Sequence, residues 1–281
     1  MKRSSYFIEN KALFGSYPTQ EEVIELEKMG VKYFVDLTHS TEKKITPYKT
    51  NCLYINYPIN DSYVPTDWNS FSMFIIYICD IISTLKDSEK IYLHCKGGHG
   101  RSGVVVACIF CYLYRMSPTE SLLETSRCHS NRQKMKEKWR ILGSPQTYTQ
   151  KLFISKFFNP IIITEKYSCE YCITSKNHVR IKGFEMFNST EEVYESIKDL
   201  AEKQQETYFD INKNIDIFLL QVLKAKFENN TKLANILKNT GLRPLKPAED
   251  STQIEKTICF CLQYIRESMH RDDLYKLLNT R

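Results

Sequence analysis

From Leu13 to about Phe158, short apolar runs alternate with longer stretches in which apolar residues recur at helical spacing. Thr19-Gln-Glu-Glu22 forms a capping box, which predicts a helix from there to near Gly30. VKYFVDL (31–37) and LYINYPI (53–59) read as strands. WNSFSMFIIYICDIISTLK (68–86) is apolar at helical period, and IYLH (91–94) is a short buried strand. SGVVVACIFCYLYRM (102–116) predicts a long apolar helix, closed by the Ser-Pro that follows. This rhythm predicts an α/β fold, a central sheet flanked by helices.

Beyond about Asn159 the pattern changes. A second capping box, Ser189-Thr-Glu-Glu192, and helical stretches near 190–205, 212–228, 230–238 and 253–268 predict a separate, mainly α-helical part. A boundary falls within 158–165, which gives two domains, 1–160 and 161–281. At 281 residues the chain is long enough for two moderate cores.

Composition then narrows the class. With 42% apolar and 26% charged residues, the chain reads as globular and not disordered. No apolar run approaches the roughly 20 residues that span a bilayer, and MKRSSYFIEN lacks the apolar segment of a secretory signal. Both point to a cytoplasmic protein, with access to the nucleus open. The ten cysteines are scattered, several inside apolar runs (Cys79, Cys108, Cys111), and read as small buried hydrophobes. A net charge of +6 suits anionic ligands without indicating nucleic acid.

The segment IYLHCKGGHGRSG (91–103) does not fit packing alone. A lone cysteine at a strand end is usually inert, and a glycine cluster is usually a turn. His-Cys-x5-Arg-Ser/Thr as a unit, however, arises by chance in only about one such chain in a thousand. A loop of small residues between a strand and a helix N-terminus can turn its backbone N–H groups inward as an anion nest. The helix beginning near Ser102 adds its positive end. Arg101 offers a planar fork for two phosphate oxygens, and Gly97, Gly98 and Gly100 let the backbone approach closely. The same positive field falls on the sulfur of Cys95, and a thiolate beneath a phosphate-shaped cradle is a nucleophile for phosphorus.

HCKGGHGRS resembles the signature of cysteine-dependent protein tyrosine and dual-specificity phosphatases, and the resemblance extends over about residues 10–158. LFGSYPTQEEVIELEKMGVKYFVDLT is similar to that family's N-terminal strand and helix, and SPQTYTQKLFISKFF to its closing helix. The resemblance implies that Cys95 forms a phosphocysteine intermediate and that Arg101 binds phosphate and stabilises the transition state. Ser102 would hydrogen-bond the sulfur, His94 would orient the loop, and Gln150 would position the hydrolytic water. No metal or other cofactor is implied. The leaving oxygen also needs an acid, in the family an aspartate some thirty residues before the cysteine. NYPINDSYVPTDW offers Asp61 and Asp67; Asp61, 34 residues before Cys95 and after the strand-Pro-Ile pattern, is preferred. Asp36 and Asp80 lie in regular elements and read as structural.

The resemblance implies a phosphorylated protein as substrate, through phosphotyrosine together with phosphoserine or phosphothreonine. Lys96 and His99 place two basic groups on the loop rim and keep a phosphoinositide open. An RNA 5′-phosphate is disfavoured by Asp61. The basic run NRQKMKEKWR (131–140) could face lipid or RNA, although such a run is usually a solvated helix face. The contrasting class is a phosphate-binding adaptor that retains the loop for recognition. In the C-terminal part, IKGFEMFNSTEEVYESIK (181–198) and NIDIFLLQVLKAKFENNTKLANILKNTG (214–241) resemble the NADAR family of ADP-ribose-type N-glycosidases. No room remains between Asp250 and Ile254 for that family's Trp-Gly and Gly-x-Asn loop. The resemblance therefore implies a shortened binding module, with Glu191 or Glu192 as the surviving site candidate. A zinc site from Cys169, Cys172, Cys259, Cys261 and His178 is disfavoured by ligand spacing.

Overall fold

The computed structural model describes residues 2–163, 211–251 and 253–279. It divides into two compact units, Met1–Phe158 and Asn159–Arg281.

The first unit is built on a five-stranded sheet of order β1-β2-β5-β3-β4. Its strands are β1 (Ser4–Ile8), β2 (Ala12–Ser16), β3 (Val31–Asp36), β4 (Leu53–Asn56) and β5 (Lys90–Cys95). Only β1 and β2 run antiparallel; β2, β5, β3 and β4 pair in parallel. Helix α1 (Gln20–Lys28) opens on the expected capping box, with Thr19 and Glu22 each accepting a backbone N–H of the other. Its Val23 and Leu26 pack on Leu13, Phe34 and Tyr92, which covers one face of the sheet.

Helices α2 (Trp68–Thr84), α3 (Arg101–Leu113), α4 (Pro118–Ser130), α5 (Glu137–Leu142) and α6 (Tyr148–Phe157) complete the unit. Helix α3 packs on β5 and β2, and α2, α4 and α6 pack on α3. This surround explains why α3 lacks a polar face: every residue from Arg101 to Tyr112 is buried. Packing there overrides the weak helix preference of Val104, Val105 and Val106. Trp68 and Phe71 of α2 meet Phe153 and Phe157 of α6 edge-on or tilted, at centroid distances of 5.2–6.1 Å. That aromatic lock fixes α6 beside the helix carrying Arg101.

The expected βαβ order is present, with differences at particular elements. The strand expected over 53–59 stops at Asn56, whose amide donates to the carbonyls of Asp36 and Thr38 and turns the chain out of the sheet. Ser117-Pro118, expected to close a helix, also opens one: Ser117 caps α4 in a capping box with Glu120, and Pro118 occupies the first turn. The basic run 131–140 is not one solvated helix face. Arg132 is buried, and Arg140 donates to the carbonyls of Ser130 and Arg132.

In the second unit, β6 (Ile161–Ile163) pairs in parallel with β7 (Leu245–Pro247). Helices α7 (Ile211–Glu228), α8 (Thr231–Asn239) and α9 (Gln253–Asn279) bury Leu223, Phe227, Leu237, Ile258, Leu262 and Ile265 together. Helix α9 runs past the expected end at 268. The capping box at Ser189, the segment 181–198, Glu191, Glu192, Cys169, Cys172 and His178 lie outside the described residues. No described helix is long and apolar enough to cross a membrane.

Candidate active site

Strand β5 ends at Cys95 and α3 begins at Arg101, so the intervening residues form a turn at the C-terminal edge of the sheet. Cys95 is 3% exposed at the base of this turn. The Gly98 N–H donates to it at 3.2 Å, and the Ser102 hydroxyl lies 3.6 Å away. Gly98 adopts φ +75°, and a Cβ there would stand 2.4 Å from the Gly15 carbonyl carbon. Both constraints demand glycine. Gly98→Ala is therefore expected to cost at least about 1–3 kcal/mol and to displace the N–H that faces the sulfur. A thermal melt together with kcat checks both effects.

Arg101 is 1% exposed, and both terminal nitrogens of its fork are engaged. One nitrogen, Nη1, donates to Glu42 and to the carbonyls of Ile59 (2.9 Å) and Leu37 (3.3 Å). The other, Nη2, donates to Glu42 at 3.1 Å and to Asp61 at 2.9 Å. Burial opposes the charge, but Glu42, Cys95 and Asp61 outweigh it and hold the guanidinium protonated. The two carboxylates differ in setting. The Glu42 side chain is 12% exposed, whereas that of Asp61 is 61% exposed and free to change partners.

Asp67, the alternative acid, has another task. It caps α2 by accepting from the Asn69 and Ser70 N–H groups at 3.0 Å each. Asp36 is buried and accepts from the Thr38 N–H, the Thr38 hydroxyl and the Tyr54 hydroxyl.

His94 is fully buried, with Nε2 2.8 Å from the Tyr48 hydroxyl and Nδ1 3.6 Å from Asp36. Burial lowers its pKa to about 4 against the opposing pull of Asp36, so the ring is neutral at pH 7. Gln150 is buried at the start of α6, donating to the Tyr63 carbonyl at 3.3 Å. A Cβ on Gly100 would meet its amide at 2.9 Å, so Gln150 stands against the loop. Lys96 is half-buried and Gly97 exposed. His99, beside Gly97 on the turn, has partners of its own. It stacks on Trp139 at 4.8 Å and hydrogen-bonds His129 at 2.8 Å. Burial, then Arg132 and Lys138, lower it to about 4.

His129 is likewise pushed down to about 3 by burial. These rings bind fewer protons folded than unfolded between about pH 4 and 6.5. Stability is fully present above pH 6.5 and is lost as the pH falls toward 4. His94 alone corresponds to about 2 kcal/mol between pH 7 and pH 5. Melting temperatures across that range should fall steadily, and restoring neutral pH should reverse the loss.

Sequence reasoning missed Glu42 and Tyr48. Glu42 lies in the polar segment THSTEKK and Tyr48 in a connection without regular structure, and neither belongs to a motif. Three other thiols are poor nucleophiles: burial raises Cys108 well above the ordinary thiol range and Cys111 and Cys128 to about 11. No cluster of metal-ligating side chains occurs among the described residues.

The family described as "Swiss Army Knife protein, DSP-PTPase phosphatase domain" matches residues 2–149. "Putative tyrosine phosphatase 197R" of Invertebrate iridescent virus 6 is 34% identical over 246 residues, covering 85% of this chain and 82% of its own. "Putative tyrosine phosphatase 067L" of Invertebrate iridescent virus 3 is 39% identical over 172 residues, covering 60% and 71%. Over 108 residues the chain is also 30% identical to "Phosphatidylglycerophosphate phosphatase PTPMT2" of Arabidopsis thaliana, covering 36% and 44%. The solved structure of Tk-PTP in the active form aligns at 21% identity and a TM-score of 0.43, covering 55% of this chain and 94% of that one. The NADAR-like reading of the C-terminal part gains no support from these comparisons. The family hydrolyses phosphomonoesters through a phosphocysteine intermediate. With the matched region spanning the loop 94–102, the chain belongs to the dual-specificity-type protein tyrosine phosphatases and is a phosphatase.

Proposed function

We propose that Cys95 attacks the phosphorus of a phosphotyrosine, and of phosphoserine or phosphothreonine, on protein substrates. The observation that carries this is the sulfur itself, at the base of the turn with the Gly98 N–H 3.2 Å away and Arg101 heading the adjoining helix. The P–O bond to the leaving group breaks as the S–P bond forms. Asp61, exposed and 2.9 Å from Arg101, delivers a proton to the departing oxygen. Arg101 holds the equatorial phosphate oxygens, and backbone N–H groups of residues 96–100 share their charge. Ser102 hydrogen-bonds the sulfur as it leaves. Water positioned by Gln150 then attacks phosphorus, returning the thiolate and releasing phosphate. Buried neutral His94, held by Tyr48, orients the loop. Residues 1–160 carry this chemistry, and 161–281 form an accessory domain.

Glu42 is a positioning residue in this reading, because it aims the Arg101 fork. Glu42→Gln is expected to lower kcat/KM roughly tenfold, which is about 1.4 kcal/mol, mainly through a raised KM. An unchanged KM for phosphate esters would remove Glu42 from the account.

The substrate is tested with phosphotyrosine, phosphoserine and phosphothreonine peptides in the presence of a chelator. Phosphate release from the peptides is expected. Release confined to a phosphorylated lipid or to an RNA 5′-phosphate would overturn the protein-substrate reading.

A further inference from the structure

The catalytic turn has little stiffness of its own. Of Gly97, Gly98, His99 and Gly100 only His99 carries a side chain, and glycine leaves the backbone free to adopt many conformations. Three segments hold this one residue. His129 of α4 hydrogen-bonds the His99 ring at 2.8 Å, Nε2 to Nδ1. Trp139 of α5 stacks on the same ring at 4.8 Å, 18° from parallel. Ser144, between α5 and α6, donates its hydroxyl to the His99 carbonyl at 2.7 Å. The peptide joining His99 to Gly100 is trans, so a carbonyl directed at Ser144 points the Gly100 N–H the opposite way.

His129 stands out among these contacts. It is fully buried, and its Nδ1 has no hydrogen-bond partner among the described residues. A buried polar atom left unmatched destabilises the fold, and a leucine at this position of α4 would avoid that cost. Ser121 and Thr125, also buried on α4, return their hydroxyls to carbonyls of their own helix. His129 instead reaches across to the turn, with the Phe14 ring behind it at 6.4 Å. Burial foremost keeps both imidazoles neutral at pH 7, with pKa values of about 3 for His129 and about 4 for His99, so one ring donates and the other accepts. The unmatched nitrogen calls for a task outside packing, and the bond to His99 supplies one.

We propose that His129 is a positioning residue for the phosphatase reaction. Through His99 it fixes the turn in the form in which the Gly98 N–H meets the Cys95 sulfur and the Gly100 N–H is available to phosphate. Trp139 and Ser144 support the same residue, and the effect of His129 on the chemistry passes through His99 alone. This deepens the phosphatase reading and rests on it.

The test follows hydrolysis of p-nitrophenyl phosphate by the full chain in His129→Leu, His129→Gln, His99→Leu and the double variant His99→Leu/His129→Leu. Leucine keeps the burial and removes the hydrogen bond, whereas glutamine returns an N–H where Nε2 stood. His129→Leu should lower kcat about ten- to a hundredfold. KM should change little, because the displaced groups matter most in the transition state. His129→Gln should recover most of the loss. His99→Leu and the double variant should lose as much as His129→Leu and no more, since residues that act as a unit do not add. A melt reports folding, and should leucine fail to fold, His129→Asn, too short to reach His99, takes its place beside the glutamine variant. Full kcat in folded His129→Leu, a loss carried by KM alone, or losses that multiply in the double variant would overturn the proposal. Absence of turnover in wild type would instead overturn the phosphatase reading. Orthovanadate binding then tests the turn: weaker binding by His129→Leu upholds the positioning role, and equal binding removes it.

Discussion

Cys95→Ser is expected to reduce turnover of every phosphomonoester to background while leaving the fold and phosphate binding in place. A hydroxyl fits where the sulfur sits, so the Gly98 N–H and Ser102 keep an acceptor. What disappears is the nucleophile, since a serine hydroxyl stays protonated where a thiol ionises. Cys108, Cys111 and Cys128 are poor replacements, being buried with their thiols pushed above the ordinary range. Initial rates with chelator present, alongside a melt and binding of a phosphate analogue, separate lost chemistry from lost structure. Residual turnover in a well-folded serine variant would mean that the chemistry lies elsewhere.

The second large effect concerns the proton. Asp61→Asn is expected to lower kcat about 10²–10⁴-fold on substrates with basic leaving groups. The loss should be smaller with p-nitrophenyl phosphate, whose leaving group departs without a proton. The asparagine still reaches Arg101, so KM should change little. Asp67→Asn is the matched control. Its carboxylate caps α2, and an asparagine caps nearly as well. That variant should change neither kcat nor stability appreciably, whereas Asp67→Ala should cost about 1 kcal/mol of stability without touching kcat. Should the two aspartates exchange these phenotypes, the acid assignment is reversed.

Legibility from sequence followed the physics of each element. The sheet-and-helix order was readable because β3, β5, α2 and α3 are dominated by apolar burial. Strand β1 was missed: SSYFI is short, opens on two serines, and gains its place by pairing with β2. Helix α4 was missed because its buried positions are Ser121, Thr125, Cys128 and His129, which leave no apolar stripe. Its signal was present in Ser117-Pro-Thr-Glu120 but reads equally as a stop.

At the site, the residues from His94 to Ser102 were legible because covalent spacing alone places them on one turn. Glu42 and Tyr48 were not, since tertiary packing brings them there from separate loops. His99 shows the limit of reading charge from residue type. Burial, then the charges of Arg132 and Lys138, lower its pKa to about 4 and make it neutral, and the loop keeps only Lys96 as a cation of its own outside the Arg101 fork.

The most direct test of the central claim is to trap the intermediate. Wild type and the Asp61→Asn variant are mixed with excess p-nitrophenyl phosphate and chelator, acid-quenched within a turnover, digested and analysed by mass spectrometry. The account predicts one added phosphoryl group on the peptide carrying Cys95, and none on that peptide from Cys95→Ser. Steady turnover with Cys95 unmodified throughout, or phosphate found on another residue, would contradict it.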